Sequence, residues 1–72
     1  MLNKKALKKP YKIVSSKYEN FDKFCLISGY DTQDEAEQNF ENDIEHFHKK
    51  HRWFWHRYCY GYSGIMKDNA FA

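Results

Sequence analysis

Residues 33–50 contain neither Gly nor Pro, and within them Ala36, Phe40, Ile44 and Phe47 step by four, four and three. That spacing draws one apolar stripe along an α-helix. Thr32 stands just before it as an N-cap residue, with Glu35 three positions on, the pattern of a capping box. Acids fill the first turns, and Lys49, Lys50 and Arg52 follow at the end, so both ends complement the helix dipole. The stretch predicts a helix of 18 residues ending near His51. A helix with a single apolar stripe is not stable alone; it must lay that stripe on another layer.

The flanking sequence supplies a sheet. Residues 11–16 are rich in β-branched and aromatic side chains, and residues 23–29 include the apolar run Phe24-Cys25-Leu26-Ile27. The polar link at residues 17–22 is too short for a parallel crossover, so the two strands should form an antiparallel pair. The apolar run suggests that the second strand is central, covered on both faces. Residues 53–60 hold both Trp together with Phe54, Tyr58 and Tyr60, an aromatic density that favours a third strand. Residues 61–64 then read as a turn.

The expected fold class is α+β, a small β-β-α-β domain with one helix packed on a three-stranded antiparallel sheet. Residues 1–10, ending at Pro10, read as a basic N-terminal arm, residues 11–64 as the single domain, and residues 65–72 as a C-terminal tail. A chain of 72 residues permits one domain with a thin core. The helix should cover one face of the sheet, leaving only the chain ends for the other.

If residues 53–60 are a strand, alternation places Trp53, Trp55, Arg57 and Cys59 on one face, expected to point inward. The other face then carries Phe54, His56, Tyr58 and Tyr60, continued by Tyr62. Such a ladder of rings is either an ordinary sheet surface or a recognition platform, since Tyr and Trp are enriched at interface hot spots and rings stack unpaired bases.

Charge is unevenly spread beneath a net of +2. Residues 1–30 carry seven Lys against Glu19 and Asp22; residues 31–45 carry seven acids and no base; residues 46–72 are basic again and hold all four His. Seven acids in one helical segment are either a solvated face or a surface that meets a basic partner. The exposed acids expected to make that contact are Asp34, Glu37, Glu41 and Glu45, joined by Tyr58, Tyr60 and Tyr62. Lys49, Lys50, Arg52 and Arg57, lying among the aromatics, are the alternative set for gripping nucleic acid.

Other chemistries find little purchase. His48 and His51 share a helix face, but no Cys-x-x-Cys or His-Glu-x-x-His pattern is present, so no metal site or cofactor is expected. Serines lack a nucleophile-elbow context and glycines do not form a phosphate loop, so no catalytic residue is expected and the chain does not read as an enzyme. Cys25 and Cys59 are too few for a disulfide framework and read as buried thiols acting as small hydrophobes. The basic first residues lack an apolar stretch behind them, and no membrane-spanning run is present, which gives the expectation of a cytoplasmic protein without a membrane partner.

In size and in its Lys-, Asn- and Tyr-rich composition the chain resembles small phage and mobile-element inhibitors, among them anti-CRISPR proteins and inhibitors of host polymerases or nucleases. That group has no common motif, so no residue is carried over. The functional expectation is a non-catalytic binding protein acting through protein-protein contacts, of the phage-type inhibitor kind. The alternatives are a nucleic-acid-binding module and a structural subunit that homodimerises through an exposed strand or the aromatic face.

Overall fold

The structure is a computed structural model that describes residues 4–18, 24–59 and 61–67. A short turn of helix, α1 (Lys4–Leu7), precedes two strands, β1 (Tyr11–Ser16) and β2 (Phe24–Tyr30). The long helix α2 (Gln33–Lys50) follows, then a short helix α3 (Arg52–Phe54), a π-helical turn (Trp55–Cys59) and a last strand, β3 (Tyr62–Lys67). The three strands form one antiparallel sheet in the order β2-β1-β3, and α2 packs on it.

The long helix forms where its spacing predicts, over 18 residues. The Glu35 amide donates to Thr32 Oγ1 at 3.2 Å, and the Thr32 hydroxyl donates to the Glu35 carboxylate at 3.0 Å. At the other end the His51 amide donates to the Phe47 carbonyl at 2.8 Å, but the His51 backbone (φ −124°, ψ 51°) is no longer helical. The chain bends there and resumes in α3.

Two sequence expectations about the sheet are corrected. The central strand is β1, not β2. Five of its six residues are buried, among them Lys12, Ser15 and Ser16, whose polarity made it look like a surface strand. They tolerate burial because they have partners. The Lys12 ammonium donates to the Lys9 carbonyl. The Ser15 hydroxyl faces the carbonyls of Cys59 and Tyr62, at 2.8 and 2.9 Å, and the Ser63 hydroxyl at 3.0 Å. Its single proton serves one carbonyl at a time while its oxygen accepts from Ser63.

The larger correction concerns residues 53–60. Residues 53–59 are helical, Tyr60 lies outside the described residues, and the third strand lies instead at Tyr62–Lys67, in the segment read as a turn and the beginning of a tail. Trp55 and Cys59 are four residues apart and both are buried against Cys25 and Phe47, whereas Trp53 is 71% exposed. A strand would have put Trp53, Trp55 and Cys59 on one face. A helical turn separates Trp53 from the other two and buries the pair, and this tertiary packing outweighs the local β preference of aromatic residues.

Cys25 and Cys59 are joined by a disulfide, with Cα atoms 6.0 Å apart. The expectation of two free thiols is therefore overturned. The bond spans 34 positions. Closing a loop of that size removes enough unfolded-chain entropy to stabilise a domain by roughly 4 kcal/mol on the chain-entropy account. It fastens the π-helical turn to the edge strand β2, at the centre of a cluster with Phe47, Trp55, Ile27 and Ile44.

The opposite face of the sheet is covered by the N-terminal residues. Ala6 of α1 is buried against Val14 and Leu26, with Phe24 and Met66 beside them. The residues read as an arm are thus, from Lys4 onward, a helical turn seated on the sheet. A glycine makes this seat possible: a Cβ at Gly29 would lie 2.7 Å from the Ala6 carbonyl oxygen and 2.8 Å from the Ala6 Cα. Lys9 anchors the turn further through an ion pair to Asp31 at 3.1 Å, an exposed contact of small energetic weight.

Two outcomes follow. Replacing both cysteines by serine should lower the unfolding free energy by about 2–5 kcal/mol in denaturant titration, with amide protection lost first in residues 52–59. Gly29→Ala should cost roughly 1–3 kcal/mol, the range for overpacking, and accelerate amide exchange across residues 6–9 while the disulfide cluster stays protected.

Candidate functional site

One surface of α2 is a row of carboxylates. Asp34, Glu37, Glu41 and Glu45 are all exposed, and their spacing of three, four and four keeps them on one side of the helix. Ala36 and Phe47 are buried on the side facing the sheet. Among the described residues, one cation and one neutral amide contact the row. Gln33 donates to Glu37 at 3.1 Å, and Lys49 pairs with Glu45 at 2.9 Å. The Lys49 hydrogen bond and charge hold the Glu45 carboxyl below its usual range.

Not every acid of the segment belongs to this row. Asp43 points toward the sheet, where its carboxylate accepts from Ser28 Oγ at 2.9 Å and from the Tyr30 hydroxyl. Ser28 and Tyr30 both lie on β2, so this carboxylate latches the helix to the strand. Burial, then the hydrogen bond and negative charge of Asp43, push the Tyr30 phenol up from 10.0 to about 12.

The aromatic half of the expected site is not assembled as a sheet face. Tyr58 falls within the π-helical turn, Tyr60 lies outside the described residues, and Tyr62 opens β3, 43% exposed. The ladder was read from a strand at residues 53–60, and residues 53–59 are helical. In its place, the end of α2 and the helical residues after it gather a different cluster. His48 stacks on Trp55 with centroids 5.2 Å apart and meets His56 edge-on at 5.3 Å. The His51 ring lies against Phe47 at 4.8 Å. Beside them the Arg57 guanidinium sits over the exposed Trp53 ring, 5.6 Å from its centroid.

The four basic residues singled out in the sequence are all exposed. Lys49 and Lys50 close α2, Arg52 opens α3 and Arg57 lies in the π-helical turn. The molecule is therefore polar along α2, acidic through most of its length and basic and aromatic at its C-terminal end. Sequence reasoning missed the role of Trp53, but a signal was available. Phe47, His51, Trp55 and Cys59 continue at steps of four, a helical period extending past His51 that leaves Trp53 off the buried side.

A shallow groove of about 340 Å³ runs between the first half of α2 and β3, lined by Gln33, Glu37, Phe40, Gly64 and Ile65. Among the described residues, no group of three or more His, Cys, Asp or Glu is arranged to hold a metal ion, and no helix is long and apolar enough to cross a membrane. Comparison with protein-family models, curated proteins and solved structures finds no match to this chain.

The Asp43–Tyr30 latch carries a pH signature. The folded-state phenol titrates above its unfolded value, so the protonated form stabilises the fold. That contribution should be complete below pH 10 and lost as pH rises through about 12. Denaturant midpoints followed across this window should fall for the parent protein, and Tyr30→Phe should remove that component of the fall. Asp43→Ala should bring the Tyr30 phenol part of the way back toward 10.0 in an ultraviolet titration, because burial, the largest single cause, remains.

Proposed function

We propose that the chain is a non-catalytic binding protein that acts through protein-protein contacts made by the acidic face of α2. The observation that carries this reading is the exposed row Asp34, Glu37, Glu41 and Glu45 on a helix fixed to the sheet by an apolar stripe and the Asp43 latch. A row held on a rigid element presents its charge to a basic surface without first having to be ordered, which lowers the entropic cost of association. Charge complementarity of this kind steers encounter and selects partners.

The disulfide narrows where such a protein works. Disulfides persist in oxidising compartments and are rare in reducing cytoplasm. The Cys25–Cys59 bond therefore weighs toward an oxidising compartment, and against an inhibitor acting inside a reducing host cytoplasm. What remains is the broader reading, a small disulfide-stabilised binding module.

A second reading has its own observation. Trp53, exposed beside Arg57 and close in sequence to Lys49, Lys50 and Arg52, offers a stacking ring with cations around it. That is the equipment of a single-stranded nucleic-acid contact. The acidic row occupies most of the same helix and would repel a phosphate backbone lying along it, which ranks this reading second.

Capture experiments from extract, with and without nuclease, separate the two. A defined protein retained after nuclease treatment, and weakened about tenfold or more by Glu37→Lys combined with Glu41→Lys in low salt, is the expected result. Loss of all bound material on nuclease treatment, or capture indifferent to the charge reversal, would remove the acidic-face reading.

A further inference from the structure

The groove beside α2 has a second feature that its lining alone does not convey. It lies between α2 and β3, and β3 is an edge strand: in the order β2-β1-β3 it pairs with β1 on one side, and no strand pairs with its other side among the described residues. Ile65 pairs with Ile13, and Gly64 with Val14, so the edge is in regular antiparallel register where the groove meets it. An edge strand presents unpaired backbone donors and acceptors, to which an extended chain can add as a further strand.

The side chains around this edge select what could add. Phe40 and Ile65, both half-buried, give the groove an apolar lining, and Glu37 and Gln33 bring polar groups to it. Glu37 belongs to the acidic row, with Asp34 and Glu41 beside it on the helix. In an added strand, alternate side chains face α2. One of them meets the apolar lining, and its neighbours two residues away meet carboxylates.

We propose that the open edge of β3 and its groove take up an extended basic segment of a partner protein. One apolar side chain enters between Phe40 and Ile65, and flanking Lys or Arg side chains meet Glu37 and Glu41. This rests on the acidic-face reading and names the partner's chemistry. A second copy of this chain fits less well. Antiparallel pairing of two β3 edges leaves both α2 helices on the same face of the joined sheet, bringing two acidic rows onto one surface.

The test uses the oxidised full chain, labelled with nitrogen-15, and a terminally blocked Thr-Lys-Thr-Leu-Thr-Lys-Thr peptide, which places Lys, Leu and Lys on one face of a strand, in low-salt buffer. The expected result is amide shifts confined to residues 62–67 and 33–41, exchange of β3 amides slowed about tenfold or more, and affinity reduced about tenfold by Glu37→Gln. Shifts along the exposed acids with β3 amides unmoved would overturn the edge-and-groove proposal and leave the acidic-face reading standing. Peptide failing to bind while charge-sensitive capture of a natural partner persists would do the same. If β3 amides are already protected in a concentration-dependent way without peptide, the occupant is a second copy and the proposal falls. Failure of the peptide together with charge-indifferent capture would remove both.

Discussion

The bond between Cys25 and Cys59 is the constraint from which much of this structure follows. It joins β2 to the turn after the long helix, and the residues around it, Phe47, Trp55, Ile27 and Ile44, form one of the two apolar clusters. A domain of 72 residues buries a modest share of its surface, so its stability margin is narrow. A cross-link that removes freedom from the unfolded chain counts for a large part of that margin. It also settles a geometric competition. With Cys59 held against β2, residues 55–59 coil so that Trp55 packs beside it, and the chain must travel on to residue 62 before it can pair with β1.

The same constraint explains which parts of the fold were legible in the sequence. The long helix was readable because its cap, its apolar stripe and its charge gradient all agree, and consistency across levels is what makes a local pattern trustworthy. The antiparallel pairing of the first two strands followed from a short link. The fold class, a helix on a three-stranded antiparallel sheet, came out as expected, with its third strand at Tyr62–Lys67 instead of the residues 53–60 it was read from. Residues 53–60 were misread because aromatic density and helical spacing pointed in opposite directions there, and density was followed. β1 was not recognised as the central strand because Lys12, Ser15 and Ser16 hide it, and the burial of Ser15 depends on Cys59, Tyr62 and Ser63, far along the chain. Such partners leave no periodic trace.

The candidate site divides along the same line. Its acidic half needed only helical spacing, and Asp34, Glu37, Glu41 and Glu45 lie together and exposed. Its aromatic half was read from a strand at residues 53–60; Tyr58 falls in a helical turn instead, Tyr62 opens β3, and Tyr60 lies outside the described residues. Asp43 shows how one carboxylate of a charged segment takes a structural task. Turned toward β2, it trades solvent for Ser28 and Tyr30, and so helps hold the remaining carboxylates in a fixed row. Along α2 the molecule then offers two unlike chemistries, carboxylates over most of its length and a basic, tryptophan-bearing end. Glu37 of the acidic row also lines the groove beside β3, but it is the row itself, exposed and held on a fixed helix, that makes protein contact the reading preferred above.

The dependence of this architecture on one covalent bond can be examined without any functional assay. Protein purified without reductant is treated with iodoacetamide in denaturant, before and after reduction, and its intact mass is recorded. The account predicts no added mass before reduction and two adducts after it, since Cys25 and Cys59 are the chain's two cysteines. Alkylation of both thiols without reductant would contradict it.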